Sequence, residues 1–444
     1  MKKTIRLSRV MENIFFSVYF FFALFTPAIP ISTIKVLLVA NVMLIFWCAL
    51  TSSQMSVPKK LLKMFLVFMP FLFFFLFMQC LHFFFDGWTI FIYRLTILQT
   101  LLPVAYIFLL LVSTVAICER FAMDLNRYLH LMVYATVLQL FCVLLSLAIP
   151  SVRDMFITLT LRYTQSDVMI NAFNTMGSKR GYGFSANLFD AFGYIVAMLI
   201  SFTFLLGLET KKKRLILLAF VMLIMPALNA RTGLLLSLMG LSVVFCFYLN
   251  RKHIPLYIVG ALALVICIVF VYQRFVPEVS KQWLILGVEQ TNALLHGRVI
   301  GVYGQILGED LVWPPRMILG EGASPEFLEG YIGIDSGYIQ YLWRFGVIGS
   351  VCLLAAQFLL FAVAWRSNKR RAARCILAIF PVMILTYLFK LYSWGNLGAA
   401  FILFSLPAVI VVDGQRARRR ADRNFLRGGD YGQYALNQRD YADV

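Results

Sequence analysis

Twelve runs of apolar residues constrain this chain more than any other feature. They fall near 11–29, 33–50, 64–85, 97–117, 128–149, 187–208, 214–229, 232–249, 254–272, 337–365, 375–391 and 397–412. A helix of about 20 apolar residues crosses the hydrocarbon of a bilayer. A packed soluble core shows shorter runs with polar faces. Composition agrees: 61% of the 444 residues are hydrophobic and 14% are charged, against roughly 25% charged in a soluble domain. Hydrocarbon offers no water to an open backbone group, so such runs must fold as helices or closed barrels. Runs of this length, without alternation, predict helices.

The net charge of +19 resembles a nucleic-acid signal until it is placed on the chain. Lys and Arg concentrate in every second connection: Lys2 to Arg9, Lys59 to Lys63, Arg120 and Arg127, Lys211 to Arg214, Arg251 and Lys252, and Arg366 to Arg374. The Arg-rich stretch Arg416 to Arg423 follows the last run. That alternation is the positive-inside pattern, not a nucleic-acid stripe. It predicts both termini in the cytoplasm, a transmembrane domain over 1–412 and a basic cytoplasmic tail over 413–444. No nucleic-acid partner is expected; membrane lipid is. The basic start at Met1 to Val10 lacks a small-residue cleavage site and reads as part of an uncleaved first helix.

The opposite side then carries two long segments, 150–186 and 273–336, whereas its other connections are short. Long connections are where function concentrates. The second is not irregular: its apolar spacing suits two amphipathic helices near 278–295 and 297–308, ended by Trp313-Pro314-Pro315. The fold class expected is therefore all-α: a polytopic transmembrane helical bundle of about 12 helices with a large, partly helical outer loop. No inverted pair of broken helices is evident. The eight cysteines lie in or beside apolar runs and form no CxxC pair, so neither a disulfide nor a zinc site is expected.

The outer side should be poor in cations, yet it holds several arginines. A guanidinium fork grips phosphate bidentately and stays charged when partly dehydrated. Arg231 lies between two apolar runs with almost no loop, about 25 Å along a helix from Arg214, which places it recessed. Arg344 lies about two turns into the run that starts at Gly337. Arg298, in His296-Gly297-Arg298, opens a predicted helix whose free amides also favour an anion. Arg180 belongs to the first long outer segment. Carboxylates concentrate in the second: Asp335 sits directly before an apolar run, and Glu321 lies in a glycine-rich turn. His296 lies in the same segment. Asp335, His296 and Glu321 are all candidates for a general base. No DxD pair appears, so no metal-diphosphate clamp and no cofactor is expected.

These stretches fall in a recognisable order. Arg180-Gly181-Tyr182-Gly183-Phe184 runs through Asn187. Ala230-Arg231-Thr232-Gly233-Leu234 follows, then Gly297-Arg298 and Leu319-Gly320-Glu321-Gly322. Last come Asp335-Ser336-Gly337-Tyr338 and Phe345-Gly346-Val347-Ile348-Gly349. The order resembles the O-antigen polymerase and ligase superfamily, and most of all its Wzy-like polymerase branch. The resemblance implies a metal-independent glycosyltransferase of the bacterial inner membrane, acting at the periplasmic face. Donor and acceptor would be oligosaccharides on undecaprenyl pyrophosphate. Outer arginines would hold the pyrophosphate, a role that falls by position to Arg298 and Arg231, with Arg180 and Arg344 as further candidates. A separate chain-length regulator is an implied partner. The ligase branch carries a histidine-rich motif where this chain has Asp335-Ser336-Gly337-Tyr338, which argues against a ligase, although His296 keeps that alternative open. A transporter or flippase, the reading from another class, needs ionisable groups near the bilayer midplane. The apolar runs here hold few polar groups, such as Asn41, His130 and Asp190.

Overall fold

The computed structural model describes residues 2–27, 29, 33–51, 66, 69–70, 73–74, 77, 91–163, 183–185, 187, 189–229, 231–248, 285, 289–290, 292–293, 295–297, 312–321, 337–388 and 396–426, with 2–8, 91–101, 161–163, 189, 231 and 422–426 as backbone only. Among these residues the protein is all-helical, 88% helix and no strands. The helices are α1 (Lys2–Phe25), α2 (Thr33–Thr51), α3 (Phe91–Phe121), α4 (Leu125–Ala148), α5 (Pro150–Tyr163), α6 (Phe189–Glu209), α7 (Lys213–Met222), α8 (Ile224–Asn229), α9 (Arg231–Tyr248), α10 (Gly337–Ser367), α11 (Arg371–Leu388) and α12 (Leu397–Leu426). Among the described residues, seven segments are long and apolar enough to cross a membrane. They are α2, Leu102–Phe121 of α3, α4, Asp190–Glu209 of α6, α10, α11 and Leu397–Ala421 of α12. The chain is a multi-pass membrane protein.

Three elements differ from the apolar pattern. The run at 214–229 folds as two short helices. Leu223 interrupts it, its N–H bonding the carbonyl of Phe220 at 3.1 Å. The segment expected as a long loop from 150 begins with helix α5, which turns off α4 at Ile149. Helix α12 runs past 412 to Leu426, so the basic tail starts as a helical extension. The run at 254–272 lies outside the described residues, and that at 64–85 is represented by scattered helical positions.

Helices α6 and α9 run parallel and touch through small residues. A Cβ added at Gly233 would lie 2.5 Å from Gly193 Cα, and one at Gly240 would meet Ser201 and Met383. Ser237, fully buried, bonds back to the Gly233 carbonyl at 2.7 Å. Water drives no helix association in lipid, so close packing of backbones over small side chains does. The polar residue Asn41 works the same way. Its amide oxygen accepts from the Tyr19 hydroxyl at 2.9 Å and from Ser113, and its amide nitrogen donates to the Leu37 carbonyl at 2.7 Å. It pins α1, α2 and α3 together. His130 is satisfied within its own helix, at 2.7 Å from the Asn126 carbonyl.

One end of the bundle is basic. Helices α1 and α4 begin there, and α3, α9 and α10 end there. The last carbonyls of a helix have no partner inside it and carry the negative end of its dipole. Arginines meet them. Arg127 donates to the Phe121 carbonyl at 3.0 Å and pairs with Glu12 at 3.0 Å. Arg416 reaches from α12 to the carbonyls of Cys118 and of Met123. Arg371 donates to the Phe247 carbonyl with its guanidinium over the Tyr248 ring, and Arg418 donates to the Arg366 carbonyl at 3.3 Å. Arg370 joins Asp413 at 3.1 Å, where Asn368 also binds.

The Gly193–Gly233 contact yields a test. A side chain at 233 would overpack a backbone contact, which costs typically 1–3 kcal/mol. Gly233→Val should lower the thermal unfolding midpoint of the detergent-purified protein by that equivalent. Ser242→Ala, at an exposed position of the same helix, should leave it unchanged.

Candidate functional site

The end opposite the basic one holds a broken helix. Within α10, Gly346 has φ 63° and ψ −175°, so the helix stops at Phe345 and restarts at Val347. Only glycine enters that region freely. The break opens backbone groups that a continuous helix would join, and in an apolar setting each unpaired group costs several kcal/mol. The segment 312–321 satisfies them. The Val347 N–H donates to the Met317 carbonyl at 3.0 Å and the Ile348 N–H to that of Ile318 at 3.2 Å. In return the Glu321 N–H donates to the Trp343 carbonyl at 2.6 Å. The Trp343 indole closes the far side on the Val312 carbonyl at 2.8 Å.

The contact is backbone on backbone at two glycines. A Cβ at Gly346 would collide with Ile318, Leu319 and Gly320, and one at Gly320 (φ 76°) would collide with Gly346 and Phe345. The sequence stretches Leu319–Gly322 and Phe345–Gly349 are thus joined in space at Gly320 and Gly346.

The stretch from Val347 to Ser367 is about 31 Å long as a helix, enough to cross hydrocarbon alone. Arg344 lies about two turns into α10, on the short piece that precedes the break. It is 5% exposed, between buried Gln340 and Tyr341 on one side and the break on the other. Its guanidinium lies 5.4 Å from the centre of the Phe345 ring.

Glu321 is engaged by its own turn. Its carboxylate accepts the Arg316 N–H at 2.9 Å and lies 3.9 Å from the Arg316 guanidinium. With its N–H on Trp343, it fixes the segment to α10. His296 follows the described helical positions 285, 289–290, 292–293 and 295; the rest of the helix expected near 278–295 lies outside the described residues. The His296 ring Nδ1 lies 2.8 Å from the Asn292 carbonyl, and Gly297 follows with φ 75° in open space. Asp335, Arg298 and Arg180 lie outside the described residues.

The Arg231 backbone opens α9 at this same end. The Gly193–Gly233 contact sets it level with the first turn of α6. One step on from Gly193, Tyr194 stacks on Tyr387 of α11 at 4.1 Å and 12°. The starts of α9 and α10 share one end of the bundle, since both helices end at the basic one.

The stretch 183–187 binds this end together. Gly183 (φ 59°) passes against Val143 and Gln139 of α4. The Ser185 hydroxyl donates to the Phe25 carbonyl at 3.0 Å and the Asn187 amide to that of Leu24 at 2.9 Å, which closes the C-terminus of α1. Asn187 accepts from Asn396 at 3.2 Å, and Asn396 caps α12 through the Ala399 N–H at 2.9 Å. Sequence reasoning missed the break at Gly346, the Tyr194–Tyr387 stack and Asn396. An asparagine shortly before the start of an apolar run is the one of these that carries a readable signal, as an N-cap.

Among the described residues no group of three or more His, Cys, Asp or Glu side chains could hold a metal ion. Comparison with known proteins gives no match: no family model, no curated protein and no solved structure aligns significantly with this chain.

Two of the glycines at positive φ, Gly297 and Gly346, separate strain from collision. An L-residue in the left-handed region costs roughly 1–2 kcal/mol. Gly297→Ala should destabilise the protein by no more than that, because nothing crowds the position. Gly346→Ala should cost clearly more, because its Cβ also meets the Ile318 carbonyl. Thermal unfolding of the two variants side by side measures the difference.

Proposed function

We propose that this protein polymerises oligosaccharide repeat units carried on undecaprenyl pyrophosphate, at the periplasmic face of a bacterial inner membrane. The basic end would face the cytoplasm and the broken-helix end the periplasm. The observation that carries the reading is the clasp between Gly320 and Gly346. It links two stretches of the resemblance that lie far apart in sequence, at the end of the bundle where Arg231 and Arg344 also lie. The polar residues inside the apolar helices favour an enzyme over a transporter. Asn41 and His130 are satisfied by neighbouring groups, as structural glue is.

In the proposed reaction, a hydroxyl of the acceptor repeat unit attacks the anomeric carbon of the donor glycan. The bond from that carbon to the pyrophosphate oxygen breaks, and undecaprenyl pyrophosphate leaves. Guanidinium groups of Arg298 and Arg231, with Arg180 and Arg344 as further partners, would stabilise the charge that develops on the departing oxygen, without a metal. A base takes the proton of the attacking hydroxyl. Glu321 is held by its own turn, so its proposed part is to position the segment on α10. That leaves Asp335 and His296 for the proton.

Three measurements test this. In the source bacterium, deletion of the gene should leave a single repeat unit on the lipid core and remove the lipopolysaccharide ladder. Bare core with polymer left on its carrier would mean a ligase, and an unchanged ladder would defeat both. Arg231→Ala and Arg298→Ala should each abolish chain extension with protein still in the membrane. Glu321→Gln keeps an oxygen acceptor for the Arg316 N–H, so extension should stay within about tenfold of normal. A loss of about 100-fold or more would make Glu321 the base after all.

A further inference from the structure

We propose that the basic end carries a docking belt for anionic phospholipid headgroups, formed by Lys211, Lys212, Lys213, Lys369, Arg419 and Arg420. Two populations of cations stand out at this end. One consists of the arginines already described, which close helix termini or pair with Glu12 and Asp413. The belt residues are the other: all six are exposed, and none has a carboxylate partner among the described residues.

Their neighbourhood is continuous. Arg418 joins the α12 extension to the end of α10 at the Arg366 carbonyl. Arg371, just across the turn from Lys369, donates to the end of α9 at Phe247. The next residue, Tyr248, donates to Glu209 at the end of α6, two positions before Lys211. In these segments the described carboxylates are Glu209 and Asp413, and both are engaged.

A second observation gives the belt its direction. Helix α7 starts here with Lys212 at its N-cap, which makes no side-chain cap, then Lys213 and Arg214, with no acidic residue in the first turn. A helix N-terminus carries the positive end of the dipole, and cations there repel it. Helix α11 starts here too, with Arg371 and again no acidic residue in its first turn. Charges of the wrong sign for their own helices are stabilised by an anion from outside. A leaflet surface supplies many, all at the level where these helices leave the hydrocarbon. The belt extends along that end from α12 to α7, which suits a sheet of headgroups.

The test uses the purified full chain in nanodiscs of phosphatidylcholine alone or mixed with phosphatidylglycerol. Phosphatidylglycerol should raise the thermal unfolding midpoint, and added salt should remove the gain. Changing the six belt residues to Gln should abolish most of the gain and leave the midpoint in pure phosphatidylcholine unchanged. Retention of phosphatidylglycerol on the extracted protein, read by native mass spectrometry, should fall about fivefold for each of the first residues neutralised. Equal midpoints for the unaltered chain in the two lipids would overturn the proposal. So would a six-residue variant that keeps the full gain. Soluble polyphosphate added to pure phosphatidylcholine discs is the remaining arm. Stabilisation by it without any effect of phosphatidylglycerol would mean a soluble polyanion occupies the belt, and the membrane assignment would fall.

Discussion

Every backbone N–H and C=O that enters hydrocarbon must find a partner inside the protein. Along a helix this is automatic, so the constraint acts at helix ends and at breaks. This protein meets it with two chemistries at its two ends. At the basic end, long cationic arms reach the carbonyls where α3, α9 and α10 stop. At the opposite end, neutral amides and hydroxyls do the work for α1 and α12. The broken helix α10 is closed by another piece of backbone. Among the described residues, arginines close helices at one end, and Asn, Ser and main chain close them at the other.

The apolar runs gave the helices because hydrophobicity over twenty residues is a signal local to the sequence. α2, α4, α6, α10, α11 and α12 lie where the runs lie. What the runs could not give were interruptions that cost no hydrophobicity. Phe345-Gly346-Val347-Ile348 reads as unbroken apolar sequence, yet Gly346 ends one helix and begins another. Leu223 divides α7 from α8 just as silently. Charge marks where the last apolar run ends, and α12 passes that point without unwinding.

The candidate site was legible as a set of stretches, less so in the part each residue plays. Arginine, asparagine and glycine recur where a phosphate is gripped, and they recur equally where a helix is capped or a backbone must pass close to another. Gly183 passes against α4, Ser185 and Asn187 close the end of α1, and Asn187 meets Asn396. Glu321, read from sequence as a base candidate, has its carboxylate on Arg316 and its N–H on Trp343. The sequence carries the residue types; which oxygen or nitrogen each one faces is decided by contacts as distant as Gly320 and Gly346.

The clasp at Gly346 has a further consequence. A loop held by side chains depends on particular partners, and each partner restricts what the loop may carry. Here the hydrogen bonds between the segment and α10 run through main-chain groups, apart from the Trp343 indole, and the side chains of Met317, Ile318 and Leu319 remain exposed. The segment is thereby fixed in position while its outward chemistry stays open to change. On the other side of the same hydrogen bonds, Arg344 is buried on the short helical piece before the break. A continuous helix would have left the loop without its backbone partners, so the break that opens main-chain groups of α10 is also what holds the segment beside that buried arginine.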